Sequence, residues 1–269
     1  MELRKVEDFR DVGSLMWDFR KEKGKVVSNI LPNDPARIKA GDQGRLRIAE
    51  GENETFVIED KGDFKSVSFF ASEGSDVIEA MRRLREDLGD KAPWVLEHVI
   101  RAGKDKSLGE PTAVLRRMSH QHFLPESPEN PLKLPYPYII RPANEQDIWD
   151  IDDIFKEQFN ALMERIPDQE ELRELIRKEG IRLAFCNGKL AGFIIFQKEG
   201  QNLHLRYWWT APGFRGGGIG SGLMREFIKA SNGTTRQFLW VFSDNENAIK
   251  RYKHYGFEFD GTEDEIYIR

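Results

Sequence analysis

Residues 203–224 read LHLRYWWTAPGFRGGGIGSGLM. The segment His204–Thr210 is rich in aromatic residues and predicts a strand. Ile219, Leu223 and Phe227 recur at helical spacing and predict a helix. The glycines between these elements let backbone N–H groups turn inward without a Cβ clash. Because the first turn of a helix adds unpaired N–H groups and the positive end of its dipole, the passage predicts a site for a pyrophosphate.

Three classes of cofactor-binding protein use such a glycine-rich loop, and two of them do not fit. A P-loop ends in Gly-Lys-Ser or Gly-Lys-Thr, but the run Gly220, Ser221, Gly222 contains no lysine. A dinucleotide fingerprint needs glycines at i, i+2 and i+5, and no starting point in the run satisfies that spacing. The run does contain Arg-x-x-Gly-x-Gly, formed by Arg215, Gly218 and Gly220.

This signature, with Pro212 before it, resembles that of the GNAT superfamily of N-acetyltransferases. A second match to the family's pattern consists of Asn245, Ala248, Tyr252, Gly256 and Phe257. The two motifs stand in the family's order, with room between them for a helix and a strand. The resemblance covers about Tyr138 to Arg269. The whole chain looks like a group of two-part bacterial acetyltransferases whose first half is a degenerate copy.

The resemblance implies acetyl-CoA as the cosubstrate and assigns its parts to particular positions. Its pyrophosphate is expected on the loop, at Arg215, Gly216, Gly217, Gly218, Ile219, Gly220 and Ser221. Its pantetheine arm is expected to pair like an extra strand with Trp208, Trp209 and Thr210. Asn245 and Tyr252 are expected beside the thioester, where Tyr252 would protonate the departing thiolate as the general acid.

The resemblance does not assign a general base, because the strand carries no glutamate where some members of the family place one. His204 is the nearest titratable group, and a chain of water molecules is the alternative. The aromatic residues also have structural interpretations. Tyr252 would then be a core or groove aromatic, and Trp208 and Trp209 would belong to the core rather than line an acceptor pocket. The glycine run would otherwise be a flexible surface turn, but the flanking strand and helix favour the anion site.

Five prolines fall between residues 125 and 137, in the segment PESPENPLKLPYP. Such a segment cannot be a helix interior or a central strand, and it predicts an extended linker. We therefore expect an N-terminal domain at residues 1–120, a linker at 121–136 and a catalytic domain at 137–269.

The two halves have parallel successions of predicted elements. The C-terminal half predicts βααβββαβαββ, with a hairpin at 187–188 and two short strands within 257–269. The N-terminal half predicts ααβββαβ and a further strand, with Ser75 capping its third helix. We expect an α+β fold with a GNAT-like sheet, mixed but mostly antiparallel, flanked by helices and present twice.

The N-terminal half departs from the cofactor-binding pattern at the equivalent junction. Residues 69–75 contain one glycine, Gly74, and an acid, Glu73, where a phosphate would lie. We therefore expect the N-terminal half to have the same layered architecture as the C-terminal half but to bind no cofactor. Its expected role is in stability or in shaping the acceptor site.

Charge and cysteine content exclude several classes. The chain has 269 residues, with 41 Lys and Arg against 46 Asp and Glu, so its formal charge is −5 and nucleic-acid binding is disfavoured. No run is apolar enough for a membrane span or a signal peptide. The one cysteine, Cys186, excludes an intrachain disulfide and a Cys-cluster metal site. We expect a cytoplasmic protein without a metal, either a monomer or a homodimer.

The sequence thus predicts an acetyl-CoA-dependent N-acetyltransferase acting on a primary amine. Residues 147–179 hold eleven acidic and five basic residues, which favours a small cationic acceptor. One alternative is a CoA-binding sensor or assembly module without turnover. Another is a transferase that uses a longer acyl-CoA, which the bulk of Trp208 and Trp209 disfavours.

Overall fold

A computed structural model describes residues 1–120 and 138–269, so the predicted linker at 121–136 lies outside the described residues. The chain divides into two compact units. The first comprises Met1–Leu115 with Thr262–Arg269, and the second comprises Arg116–Gly261.

The first unit is built on a sheet in the order β1-β3-β4-β5-β6. Its strands are β1 (Leu3–Lys5), β2 (Val26–Ser28), β3 (Leu46–Glu50), β4 (Glu54–Asp60), β5 (Lys65–Ser72) and β6 (Trp94–Arg101). Its helices are α1 (Phe9–Lys23), α2 (Pro35–Asp42) and α3 (Val77–Asp87). The short strand β2 pairs antiparallel with β5. The strands β1 and β2 were not predicted, because at three residues each they are too short to show a period in the sequence.

The helix α3 begins one residue later than expected. Its N-cap is Asp76, whose carboxylate accepts the N–H of Glu79 at 3.0 Å. The prediction of Ser75 as the cap is wrong because the Ser75 hydroxyl bonds elsewhere, to the carbonyl of Asn53 at 3.2 Å.

The second unit has a sheet in the order β12-β11-β10-β9-β8. Its strands are β8 (Tyr138–Pro142), β9 (Ile181–Cys186), β10 (Lys189–Glu199), β11 (Asn202–Thr210) and β12 (Arg236–Phe242). Its helices are α4 (Ile148–Gln158), α5 (Gln169–Arg177), α6 (Ile219–Ala230) and α7 (Glu246–His254). The predicted hairpin is confirmed, since Asn187 (φ 52°) and Gly188 (φ 73°) join β9 to β10.

Two strands have residues in both units. They are β7 (Ala113–His120) and β13 (Glu258–Ile268). Two short strands were expected within the last thirteen residues, but the structure has the single strand β13. Gly261 lies inside this strand with a φ of 84°, and the strand continues past it. Thr262–Ile268 pair antiparallel with β6, and this segment belongs to the first unit.

Each unit contains a three-strand meander followed by a helix and a strand, and in each the last strand pairs parallel with the third strand of the meander. In the first unit these strands are β5 and β6, and in the second they are β11 and β12. Two helices precede the meander in each unit, and in the first unit the short strand β2 lies between them. The predicted α+β class with a mostly antiparallel sheet and flanking helices is confirmed.

Candidate functional site

The pairing between β11 and β12 stops halfway along β11. It joins Asn202–Leu205 to Arg236–Leu239, and the remaining residues of β11 have no partner on β12. Beside this unpaired part is a groove with a volume of about 480 Å³. Its lining consists of Trp208, Trp209, Thr210, Arg215, Asn245, Asn247, Ala248, Arg251 and Tyr252. A half-paired strand at a groove offers backbone groups to an extended ligand.

The groove is positively charged. Arg215 and Arg251 are its charged lining residues, and no acidic residue stands among the described residues that line it. The Arg215 Nε donates to the carbonyl of Thr210 at 3.2 Å, which holds the guanidinium at the end of β11. The Arg251 guanidinium lies 5.6 Å from the centre of the Trp208 ring. The groove therefore suits an anionic ligand.

Next to Arg215 the chain turns into α6 through glycines. Gly216 and Gly218 have φ values of 79° and 81°, which side-chain-bearing residues rarely adopt. The first intrahelical bond of α6 runs from the N–H of Gly222 to the carbonyl of Gly218, at 2.9 Å. The amides of residues 219–221 therefore have no helical partner and remain available to an anion. The Ile219 side chain is only 4% exposed, so this residue offers its backbone alone.

The Trp208 ring is held between β11, α6 and α7. Its Nε1 donates to the carbonyl of Gly220 at 3.1 Å. Its centre lies 5.7 Å from the ring of Tyr252 and 5.8 Å from that of Tyr255. A Cβ on Gly220 would lie 3.3 Å from the Trp208 Cζ2, so glycine lets the ring pack directly on the helix backbone.

Tyr252 lies on α7, and Asn245 lies at the start of this helix. The Asn245 Oδ1 accepts the N–H of Ala248 at 3.1 Å, so this side chain caps the helix while it lines the groove. Burial raises the pKa of Tyr252 to about 12, with a smaller opposing effect from Arg251. Within the described residues, its hydroxyl makes no hydrogen bond. A protonated phenol in a groove, without a partner, is placed to donate to a ligand.

A β-bulge in β11 determines which of its side chains reach the groove. β10 pairs Phe196 with Leu205 but Ile195 with Tyr207, so Arg206 is an extra residue in β11. Such an insertion breaks the alternation of faces along a strand.

The two faces of β11 accordingly exchange after the bulge. Leu205 packs in the core cluster that includes α6, whereas Tyr207, two residues later, packs in the cluster that includes α4 and α5. Trp208 then packs on the α6 side with Tyr252, and Trp209 packs on the α4 and α5 side.

His204 precedes the bulge and lies between Leu203 and Leu205, which both pack on the α6 side. Its side chain is therefore on the face of β11 opposite to Tyr252. Its ring stacks on Phe238 with centroids 4.4 Å apart and planes 10° apart. Burial, reinforced by nearby arginines, lowers the pKa of His204 to about 3. The structure does not bring this residue into the groove.

The α4 and α5 side of β11 carries a packed aromatic group. The Tyr207 hydroxyl donates to the carbonyl of Arg165 at 2.7 Å, in the connection between α4 and α5. Trp209 stacks on Phe193 with centroids 5.4 Å apart and planes 28° apart. Since Trp209 also lines the groove, this aromatic group adjoins it.

Glu164 lies in the same connection and is half-buried. Its carboxylate accepts the N–H of Asn160 at 2.9 Å, and within the described residues it forms no ion pair. Burial raises the pKa of Glu164 above its usual range. Its charge also acts on the Tyr207 hydroxyl, whose pKa is raised mainly by burial. A half-buried carboxylate without a counter-cation is a place where a cationic ligand would be stabilised.

The groove brings together the predicted residues Trp208, Trp209, Thr210, Arg215, Asn245 and Tyr252. The loop residues Gly216 to Ser221 lie outside its lining and continue the backbone from Arg215 into α6. Asn247 and Arg251 were not predicted as site residues, although they stand four residues apart on a predicted helix and so share a face. Glu164 was not predicted as a site residue either, and was counted only as part of an acidic segment.

Two further classes of site are absent from the described ranges, 1–120 and 138–269. No group of three or more His, Cys, Asp or Glu side chains there is arranged to hold a metal ion. None of the helices in these ranges has the length and apolarity of a membrane span.

Comparison with known proteins defines the class of the second unit. The model of the Acetyltransferase (GNAT) family matches residues 148–257. This range holds the glycine-rich loop, the groove and Tyr252, and it forms a domain of the GNAT acetyltransferase family. A search of curated proteins finds no match to the chain.

Solved structures of GNAT proteins share the fold along the whole chain. A GCN5-related N-acetyltransferase from Sphaerobacter thermophilus has a TM-score of 0.59 and 15% identity, covering 100% of this chain and 95% of its own. A GNAT-family acetyltransferase from Colwellia psychrerythraea has a TM-score of 0.55 and 13% identity, covering 99% and 100%. A tandem GNAT protein from the clavulanic acid biosynthesis pathway has a TM-score of 0.52 and 13% identity, covering 100% and 98%.

Proposed function

We propose that this protein is an acetyl-CoA-dependent N-acetyltransferase whose acceptor is a small cationic molecule with a primary amine. The observation that carries the proposal is the groove at which the half-paired β11, Arg215 and Tyr252 converge. Unpaired amides at the start of α6 suit the pyrophosphate of acetyl-CoA, and the free edge of β11 suits its pantetheine arm. The two groove arginines supply compensating positive charge.

The chemistry that fits this groove is direct transfer. The neutral amine attacks the thioester carbonyl, so a C–N bond forms and the C–S bond breaks. The amine proton leaves to solvent, and the thiolate takes a proton from the Tyr252 hydroxyl, which solvent then restores. The raised pKa of Tyr252 keeps the phenol protonated at neutral pH, as a general acid requires.

The proposal gives the base role to water rather than to His204. That imidazole lies on the other face of β11, stacked on Phe238, and its lowered pKa makes it a weak base. Its position therefore supports a packing role.

A cationic acceptor is supported by the half-buried carboxylate of Glu164. This group lacks an ion pair within the described residues and lies near Tyr207, two residues before Trp209 in β11. Residues two apart on a strand are about 7 Å apart on one face. A second positive group on the acceptor would thus meet the carboxylate while its amine lies at the groove.

We also propose that the N-terminal unit binds no cofactor. In that unit the pairing of β5 with β6 likewise stops early, after Val67. There, however, Asn29 bridges the two strands: its amide accepts the N–H of Phe69 at 2.7 Å and donates to the carbonyl of Glu97 at 2.7 Å. The strand β2 also pairs with the free part of β5. The chain thereby satisfies backbone groups that an extended ligand would need.

The proposal places the protein in the cytoplasm, which the buried free thiol of Cys186 supports.

Calorimetry with acetyl-CoA tests the cofactor assignment. Gly218→Val forces a β-branched residue into a φ of 81° at the start of α6, and it should abolish binding. Gly200→Val is the matched control, since Gly200 (φ 58°) lies in the β10–β11 turn at the opposite end of β11 from Thr210, and it should bind as the wild type does. Equal binding by wild type and Gly218→Val would refute the assignment.

An amine panel then tests the reaction. The wild type should release CoA with primary amines that carry a second positive charge. Binding of acetyl-CoA without CoA release across the panel would instead indicate a sensor or assembly module.

A further inference from the structure

We infer that Trp208 limits the acyl group this protein transfers to a short chain and excludes longer acyl-CoA substrates. The inference rests on the proposed function, because it takes the Tyr252 side of the groove as the place of the thioester. It concerns the part of the cosubstrate that is transferred, which neither the fold nor the loop specifies.

The Trp208 ring is fixed in position. The bond from its Nε1 to the Gly220 carbonyl, at 3.1 Å, ties its edge to α6. Tyr255 meets it edge-on, with planes at 76°, and Arg251 lies over it. A side chain held on several sides does not move aside cheaply, because a rotamer change would break the hydrogen bond and the ring contacts together.

The ring also stands where an acyl chain would extend. Trp208 lines the groove and is within 5.7 Å of the Tyr252 ring, measured between centroids. If the Tyr252 hydroxyl faces the thioester sulfur, the acyl carbons begin beside the indole. A methyl group fits against such a wall, whereas each further methylene must displace fixed atoms.

The other face of β11 offers no alternative route for the chain. Trp209 is stacked on Phe193, and the Tyr207 hydroxyl is bonded to the carbonyl of Arg165. Phe155 packs edge-on against Tyr207 with centroids 4.7 Å apart. This face is therefore filled by side chains that pack on each other.

Calorimetry with CoA, acetyl-CoA, butyryl-CoA and hexanoyl-CoA tests the inference on the full chain. The wild type should bind hexanoyl-CoA about tenfold or more weakly than acetyl-CoA, which corresponds to about 1.4 kcal/mol. Trp208→Ala should bring the two affinities within about threefold, because truncation removes the wall. Trp208→Leu keeps an apolar side chain of smaller size and should give an intermediate ratio, should the alanine variant fold poorly.

Trp149→Ala is the matched control, since it truncates an indole on α4 that is 62% exposed and does not line the groove. Its ratio of hexanoyl-CoA to acetyl-CoA affinity should remain that of the wild type. Equal wild-type affinity for both ligands would overturn the inference while leaving the proposed function intact. So would a Trp149→Ala ratio that changes as much as that of Trp208→Ala. Failure of the wild type to bind CoA or acetyl-CoA would instead overturn the proposed function, and the inference with it.

Discussion

Replacement of Tyr252 by phenylalanine removes one oxygen atom from the groove and preserves the ring. The ring contacts with Trp208 and Phe257, at centroid distances of 5.7 and 6.2 Å, involve no hydroxyl and should persist. Within the described residues, the hydroxyl has no hydrogen-bond partner that the change would leave unsatisfied. The free energy of unfolding should therefore stay within about 0.5 kcal/mol of the wild type.

The catalytic effect should be much larger. General acid catalysis contributes about 10²–10⁴-fold, which corresponds to about 3–5 kcal/mol of barrier. Because the oxygen acts only on the departing thiolate, kcat should fall by that factor while the KM for acetyl-CoA stays within about threefold. Since burial raises the pKa of Tyr252 to about 12, the donor stays protonated below that pH, and wild-type kcat should show no loss from its ionisation up to about pH 11.

The assay is CoA release under conditions in which chemistry limits the rate, with urea unfolding of each variant. Tyr255→Phe is the control, because Tyr255 contacts the same Trp208 ring at 5.8 Å but does not line the groove. It should keep most of the wild-type kcat. If Tyr252→Phe retains more than half of the wild-type kcat, the phenol is structural and another proton donor must act.

Two other substitutions test the acceptor side and the N-terminal unit. Glu164→Gln should raise the KM for acceptors with a second positive charge by about tenfold or more, since a bond to a charged group contributes about 1.5–3 kcal/mol; unchanged steady-state kinetics with such acceptors would exclude this contact. Asn29→Ala leaves the Phe69 N–H and the Glu97 carbonyl without their 2.7 Å partner, so urea unfolding should show a loss of about 1–3 kcal/mol. The acetyl-CoA affinity of Asn29→Ala should be unchanged, and a weakened affinity would argue against separate roles.

Much of the second unit could be predicted because its signals are local. The Asn187-Gly188 pair needs only its own positive φ values to specify the β9–β10 turn. Gly218 likewise marks the start of α6, where the backbone takes a φ of 81°. The spacing of apolar residues in α6 indicates which face of the helix is buried, even when the elements that pack on that face are unknown. The groove residues on β11 and α7 were predicted from the resemblance of the two motifs to those of the GNAT family.

The bulge in β11 could not be predicted, because its evidence lies in the pairing with β10. Along the sequence, Arg206 and Tyr207 look like two ordinary residues of one strand. Only the register, in which Arg206 has no partner, shows that the faces exchange there. Without the bulge, His204 and Trp208 would share a face of β11, whereas with it they lie on opposite faces. The bridge made by Asn29 could not be predicted either, because its two partners lie 40 and 68 residues from Asn29 in the sequence.

Hydrogen exchange of the backbone amides at residues 216–221, with and without acetyl-CoA, tests the central claim most directly. In the free protein the amides at the start of α6 lack helical partners and should exchange fast. Saturating acetyl-CoA should slow this exchange strongly in the second unit, while the equivalent junction at residues 72–75 in the first unit stays unchanged. Unprotected amides at 216–221 in a complex shown by calorimetry to be saturated would contradict the account.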